Sequence, residues 1–217
     1  MPVDEISSPE FLAIFKHGTE AVIVNSQYLS ELDMIGDSDF GVNISNAFQK
    51  VLQELEGLQN PDIGQILKTA GDVFVYDVGA TIGGLLGRSF QRAGREMQGE
   101  RTLSSNDLIR IMKTILSTIV EIGAANPGDK TLIDALQPAV NAGSAAAQAG
   151  SGDIRSLLSE MAIAAENGAK ETKNMVSRVG RSSYLGERSR GTVDVGAKMI
   201  SILLNAMSDF CKNNVGR

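Results

Sequence analysis

The chain has 217 residues, a formal net charge of −6 at pH 7, one cysteine and one histidine. This length is enough for one sizeable core, so the sequence predicts a single domain over residues 1–217. The acidic balance argues against nucleic-acid binding, and a single cysteine excludes an intrachain disulfide and a cysteine-based zinc site. No apolar run reaches the roughly 18 residues of a membrane span and no signal peptide is recognisable, so we expect a cytoplasmic protein without a membrane partner.

Apolar residues recur at helical spacing along nearly the whole chain, and no segment shows sustained strand-like alternation. The pattern predicts an all-α bundle or barrel of about eight antiparallel helices, with a ligand site at one end formed by the connecting loops. In chain order the predicted helices cover about residues 9–16, 19–31, 44–57 and 63–77, then one that starts within 78–90, followed by 104–122, 139–149, 153–179 and 196–212.

The first unusual connector is the acidic loop LDMIGDSDFGVN, residues 32–43. It places Asp33, Asp37 and Asp39 close together, and their mutual repulsion favours a bound divalent cation, with Mg²⁺ the natural occupant. A solvated turn is the alternative. The loop is not an EF-hand, because counting from Asp37 the fifth position is Gly41 and the twelfth is Phe48.

The second unusual connector is VGATIGGLLGRSF, with glycines at 79, 83, 84 and 87. Such a cluster predicts a helix start where the backbone approaches a ligand closely, although close helix packing is an equally physical explanation. The run is not a Walker P-loop, since Leu85 follows Gly84 and Arg88 follows Gly87 where lysine is required.

The third unusual connector is GRSSYLGERSRGTVDVGA, from Gly180 to Ala197, preceded by Arg178. Glycines and arginines between two helical patterns are suited to holding an anion, although a solvated charged face is the alternative. The only histidine, His17, lies in the first helical region, so a histidine-based catalytic triad and multi-histidine metal sites are excluded.

Four blocks of the sequence, in this order, resemble those of the nucleotide-binding L subunit of dihydroxyacetone kinase. They are the acidic loop, VGATIGGLLG, PGDKTLIDAL with Pro138, and the arginine-rich block. They resemble the magnesium loop, the phosphate turn, the adenine-side block and the closing signature of that family. The resemblance implies a barrel of eight antiparallel helices that holds a magnesium-complexed adenine nucleotide, ADP or ATP, at one end.

The resemblance also implies a role for individual residues. Asp33, Asp37 and Asp39 would bind one or two Mg²⁺ ions, and Arg181 would stabilise phosphate, with no residue assigned as certainly catalytic. The residues implied to contact the nucleotide are Phe40, Gly41, Val42, Asn43, Thr81, Ile82, Gly123, Leu132, Arg181, Asp194, Val195 and Gly196.

The chain departs from the family pattern at several of these positions. Phe40 stands where the family usually has histidine, and Ile82 stands where it usually has serine. The interval between Asp33 and Asp37 is one residue shorter than usual. Gly84 and Val195 replace prolines, and Thr192 replaces a histidine. Loss of one or two neutral hydrogen bonds is expected to weaken nucleotide binding by roughly 1–3 kcal/mol, which leaves binding intact.

Three functions are compatible with these patterns. The first is a kinase subunit that passes phosphate from a magnesium-bound nucleotide to dihydroxyacetone held on a separate K subunit. In that case ADP stays bound as a cofactor and is rephosphorylated by a phosphotransferase-system protein. The second is the same chemistry on another short ketose, a tetrulose. The third is a non-catalytic nucleotide-dependent interaction protein, such as a coactivator of a transcription regulator.

Overall fold

The computed structural model describes residues 2–33, 38–78, 80–150 and 152–216, and the predicted all-α fold is confirmed. Within these residues the α-helices are α1 (Ser8–Val24), α2 (Ser26–Leu32), α3 (Phe40–Glu56), α4 (Ile63–Asp77), α5 (Ala80–Glu96), α6 (Ser105–Gly123), α7 (Ile133–Gln148), α8 (Ile154–Glu171) and α9 (Val195–Asn214). Two short strands, β1 (Glu5–Ser7) and β2 (Thr102–Ser104), pair antiparallel. Two 3-10 helices, Thr172–Asn174 and Arg181–Ser189, lie between α8 and α9.

Eight of the helices, α1 and α3 to α9, form a closed ring. Each packs against the next in sequence, and α9 packs back against α1, while α2 is a short excursion that lies against α3. The apolar faces of all eight turn inward and form one core, with Phe48, Phe74 and Ile14 among its fully buried side chains. Because neighbours alternate in direction, the connectors fall into two sets at opposite ends of the ring.

One end of the ring, here called the capped end, holds the β1–β2 pair and the starts of α1, α4, α6 and α8. Asp62 accepts the Gln65 amide at 2.7 Å at the start of α4, and Ser104 accepts the Asp107 amide at 3.2 Å at the start of α6. These side chains satisfy amide groups that the first helical turn leaves without partners. The other end, here called the cavity end, holds the unusual connectors found in the sequence.

Some predicted boundaries were wrong. The first helix does not end near Lys16 but continues to Val24, because Gly18 is buried against α9, where an added Cβ would lie 2.6 Å from Met207 Cγ. The eighth helix ends at Glu171 rather than near Val179. Thr172 Oγ1 there donates to the Ala169 carbonyl at 2.6 Å and accepts the Asp194 amide at 2.8 Å, which turns the chain into a loop. The β1–β2 pair was not predicted, since its strands have three residues each.

The packing of α4 against α5 explains part of the glycine cluster. A Cβ on Gly87 would lie 2.8 Å from the Val75 amide nitrogen and 3.0 Å from the Gly71 carbonyl oxygen, so only glycine permits this separation. The close-packing alternative therefore accounts for Gly87. No helix among the described residues is long and apolar enough to cross a membrane.

Candidate functional site

A cavity of about 780 Å³ opens at the cavity end of the ring. Its volume lies within the roughly 300–1,000 Å³ range of small-molecule sites. The walls come from the ends of α2 to α7, the start of α9, the loop between α6 and α7, and residues 175–194, here called the α8–α9 loop. The predicted site residues that line it are Asp33, Asp39, Phe40, Asn43, Thr81, Ile82, Gly123, Leu132, Arg181, Asp194, Val195 and Gly196.

The acidic side of the cavity is formed where the chain passes from α2 to α3. Asp33 follows α2, Asp39 precedes α3, and the Phe40 amide donates to Asp33 Oδ2 at 3.3 Å. Partial burial raises the pKa of Asp33, and the charge of Asp39 adds to this, while the Phe40 amide and Arg181 act in the opposite direction. Two carboxylates that repel each other beside a cavity favour a cation.

The fit of Mg²⁺ to this side rests on the donors present. Asp37, the remaining predicted ligand, lies outside the described residues. No group of three His, Cys, Asp or Glu side chains in the described ranges is placed to hold a metal ion. Mg²⁺, however, commonly uses only one or two carboxylates and completes its shell with water and phosphate oxygens, so Asp33 and Asp39 are suitable donors.

Polar side chains beside the carboxylates extend this part of the wall. Asn43 and Asn46 lie three residues apart on α3 and therefore share its cavity-facing side, and Asp77 stands at the end of α4. Thr81, at the start of α5, supplies a hydroxyl, whereas Ile82 beside it supplies none. Asp39 makes no capping hydrogen bond to α3 through its side chain. Its carboxylate is thus not committed to the helix.

The side of the cavity formed by α5 to α7 is mostly apolar. Gly123 and Leu132 lie there as predicted, together with apolar residues that the sequence did not single out, namely Leu85, Ile119, Ala125 and Ile133. A Cβ on Gly123 would lie 3.3 Å from Leu85 Cδ2, so glycine keeps this wall flat and close to α5. A flat apolar wall beside a polar one suits a ligand with an aromatic base and a charged tail.

The α8–α9 loop covers the cavity with Val179, Gly180, Arg181 and Ser182. Arg181 is the only one of the four loop arginines in the described cavity lining; Arg190 instead pairs with Glu187 at 3.1 Å. Asp194 begins α9 and accepts the Ala197 amide at 2.8 Å. Burial raises the pKa of Asp194 to about 7, with repulsion from Asp134 adding to the effect and Lys130 opposing it.

Two predicted residues lie outside the cavity lining. Gly41 is buried against α2, where a Cβ would lie 2.0 Å from the Ser26 carbonyl oxygen, so its role is to let α3 approach α2. Val42 points outward and is 55% exposed. Sequence reasoning also missed several polar lining residues, namely Asn46, Asp77, Lys130, Thr131 and Ser182. Lys130 and Thr131 lie within the PGDKTLIDAL block, which resembled the family although neither residue was assigned a role.

Comparison with known proteins agrees with this geometry. A model of the DAK2 domain matches residues 34–209. The chain belongs to the DAK2 family. It is 34% identical over 184 residues to the ADP-binding subunit DhaL of the PEP-dependent dihydroxyacetone kinase of Escherichia coli, covering 84% of this chain and 87% of that protein. The resemblance deduced from the four sequence blocks is therefore confirmed.

Other DAK2 relatives carry the domain within longer chains. The L-erythrulose kinase of Pectobacterium atrosepticum is 28% identical over 194 residues, which cover 87% of this chain and 32% of that protein. The crystal structure of the dihydroxyacetone kinase from C. freundii in complex with AMP-PNP and Mg²⁺ superposes with a TM-score of 0.72 at 23% identity, covering 96% of this chain and 34% of that one. These kinases are phosphotransferases, and the structural likeness confirms the fold.

Proposed function

We propose that residues 1–217 form a single L-type domain that binds ADP or ATP with Mg²⁺ and serves as the nucleotide-binding subunit of a ketose kinase. The observation that carries this proposal is the cavity, which combines two carboxylates, an arginine and an apolar wall at one end of the ring. The names of the DhaL relatives, given as ADP-binding subunits, support it.

The residues of the chain act by holding charge in position. Asp33 and Asp39 would bind Mg²⁺, which when bound neutralises phosphate oxygens, and Asp37 is proposed to contribute from outside the described residues. Asn43 and Thr81 would donate to phosphate, and Arg181 would offset the charge of the transferred group. Phosphoryl transfer requires little covalent chemistry from the protein. The main contribution of the protein to catalysis is therefore to position hydrogen-bond donors and charges around the phosphates.

The apolar wall would hold the adenine. Leu132 and Ile119 are buried beside Gly123, and they offer a surface on which a base can lie without desolvating polar groups. Val195 and Gly196 close this side at the start of α9. The replacement of a family serine by Ile82 removes one phosphate contact, while Thr81 next to it keeps a hydroxyl at the cavity.

The acceptor is proposed to be held on a separate K subunit that docks at the cavity end. Four large apolar side chains are exposed at the cavity end: Val42, Tyr76, Ile122 and Tyr184, here called the rim. Each lies within three residues of a cavity-lining position. Apolar and aromatic side chains left exposed around a site are typical of a protein interface. The only histidine of the sequence, His17, is not among the described residues that line the cavity.

The favoured acceptor is dihydroxyacetone, because relatives that match over most of their length are named PEP-dependent or PTS-dependent dihydroxyacetone kinases. We further propose that ADP stays bound and is rephosphorylated by a phosphotransferase-system protein. A tetrulose is the second candidate, since two longer relatives are named erythrulose kinases. A non-catalytic coactivator of a transcription regulator is the third.

The first experiment is to denature the purified chain, identify released nucleotide by chromatography and measure metal in the same sample. Stoichiometric ADP with magnesium is the expected result. The chain is then combined with the K subunit and a panel of ketoses, and the rate of product formation is measured for each ketose. Faster turnover of a tetrulose would replace dihydroxyacetone as substrate, and nucleotide binding without any transfer would favour the coactivator.

A further inference from the structure

The loop between α6 and α7 directs the buried side chain of Lys130 towards the α8–α9 loop, which covers the cavity. Asp129 accepts the Asn126 amide at 2.7 Å, and Asp134 accepts the amides of Gly128 at 2.5 Å and Thr131 at 2.7 Å. These bonds hold Lys130 at a φ of 63°, in the left-handed region. That conformation costs a non-glycine residue about 1–2 kcal/mol, so the surrounding bonds impose it.

The ammonium group of Lys130 connects the two ends of the α8–α9 loop. Its Nζ donates to the main-chain carbonyls of Ser189 at 2.6 Å, Thr192 at 2.7 Å and, more distantly, Met175 at 3.4 Å. Met175 lies at the beginning of the loop and the other two lie near its end. The main chain adds a further tie, because the Arg178 amide donates to the Asp129 carbonyl at 3.1 Å.

Burial makes these contacts strong. Lys130 is only 4% exposed, and a buried ammonium requires its acceptors because their loss leaves a charge without compensation. Burial lowers the pKa of Lys130, and the nearby Asp194 opposes that shift. In the described part of the chain, the acceptors of this ammonium group are these three main-chain carbonyls.

The loop is also attached by other contacts, since Val179 packs against the core and the Gly191 amide donates to the Lys173 carbonyl at 2.9 Å. Its buried residues are Ser177 and Ser189, and they bind each other, with the Ser177 amide donating to Ser189 Oγ at 2.9 Å. Ser189 Oγ in turn donates to the Gly186 carbonyl at 2.6 Å. This internal network shapes the loop but does not attach it to the ring. The cavity-lining Arg181 lies within the loop, so its position depends on that attachment.

We propose that Lys130 is a positioning residue whose ammonium group fastens the α8–α9 loop over the cavity before any nucleotide binds. The loop is thereby ordered in advance, and nucleotide binding does not have to supply the free energy of closing it. The consequence for affinity rests on the function proposed above, whereas the fastening itself does not.

The test compares Lys130→Met with Lys198→Met. Lys198 is a suitable control because it is also partly buried and bound to a carboxylate, Glu166 Oε2 at 2.9 Å, yet it is not part of the cavity lining. All four arginines of the loop are exposed trypsin sites. Without nucleotide, trypsin should cut the loop about tenfold faster in Lys130→Met than in the wild-type chain or the control.

Two further readouts separate positioning from general stabilisation. Amide hydrogen exchange in Lys130→Met should rise in residues 175–194 and stay unchanged in the interior of α4 and α5. The Kd for Mg-ADP should rise about tenfold, and saturating Mg-ADP should restore protection from trypsin. If wild-type chain binds no Mg-ADP, the proposed function fails while the trypsin comparison still decides the role of Lys130.

A second variant covers the case in which Lys130→Met does not fold. Lys130→Gln keeps a neutral hydrogen-bond donor but loses the charge and reaches fewer of the three carbonyls, so it should increase cleavage within the loop by a smaller factor. Equal cleavage rates for the folded variants and the wild-type chain would overturn the proposal, as would increased exchange spread evenly over α4, α5 and the loop.

Discussion

The two ends of the ring use the polar residues at the starts of their helices for different purposes. At the capped end, the starts of α4, α6 and α8 are closed by side chains of Asp62, Ser104 and Asp153. At the cavity end, Asp39 precedes α3 without capping it, and residues of four connectors line a cavity. At that end, Asp39 is left to face a ligand, and Asp194 both caps α9 and lines the cavity.

Exposed apolar groups follow the same division. Seven large apolar side chains are exposed among the described residues, and all except Ile163 lie at the cavity end: Val24, Tyr28, Val42, Tyr76, Ile122 and Tyr184. The capped end therefore contributes to stability, while the cavity end carries groups that stability alone does not require. Function is expected to be sensitive at one end and folding at the other.

The largest expected effect is at the acidic side of the cavity. Asp39→Asn removes a proposed metal ligand, so the Kd for Mg-ADP should rise about 100-fold or more while the helical circular dichroism stays the same. Asp209→Asn, on the exposed face of α9 near the capped end, is the control and should bind normally. Unchanged affinity in Asp39→Asn, measured by calorimetry, would remove Asp39 from the site.

The next effect concerns the rim. Tyr184→Ser and Tyr76→Ser remove side chains that are 90% and 78% exposed. Each should weaken association with the K subunit about tenfold or more, as measured by surface plasmon resonance, without changing the Kd for Mg-ADP. Ile163→Ser on α8, also exposed, is the matched control. Equal association for all three variants would contradict docking at the rim.

A smaller effect is expected from Asp194 and its raised pKa of about 7. The folded state holds this proton more tightly than the unfolded chain, so the contribution of Asp194 to stability falls as pH rises from about 4 to 7 and is then constant. Asp194→Asn keeps a helix-capping oxygen but cannot ionise. Its melting temperature should exceed that of the wild-type chain by about 5 °C at pH 8, and the difference should vanish near pH 4. A constant difference across this range would exclude the ionisation of Asp194 as its cause.

The smallest effect lies at the capped end. Ser104→Ala removes the oxygen that accepts the Asp107 amide and should lower the free energy of unfolding by about 1 kcal/mol, with no change in nucleotide affinity. The free energy of unfolding is measured by urea denaturation. Ser117→Ala, on the exposed surface of the same helix, provides the comparison and should be at least as stable as the wild-type chain. A fall in affinity for Ser104→Ala would show that the two ends are coupled.

The sequence predicted the fold well where local rules decide it. Helical periodicity identified α3, α4, α6 and α9 with boundaries close to those observed and predicted the start of α5, whereas the helix predicted from residue 139 in fact begins at Ile133. It failed at Gly18, because the residue continues a helix for reasons of packing against α9, which lies at the other end of the chain. It also failed at the end of α8, because a hydrogen bond between the Asp194 amide and Thr172 Oγ1 determines where that helix ends.

The site was predictable mainly through the resemblance to a family. The blocks pointed to Asp33, Asp39 and Arg181, and the structure brings these side chains to one cavity. Lys130 and Asp77 were missed, because a lysine in a polar turn and an aspartate at a helix end look like ordinary surface residues. Their places in the cavity wall depend on contacts between segments far apart in sequence.

The closure of the ring by α1 and α9 has a consequence for synthesis of the chain. Neighbouring pairs from α3 to α9 can form from local sequence as they emerge from the ribosome, but the ring is completed only when α9 meets α1. Until then the side of α1 that packs against α9 lacks its partner and stays open to water. The nascent chain therefore carries an incomplete core until α9 has been synthesised.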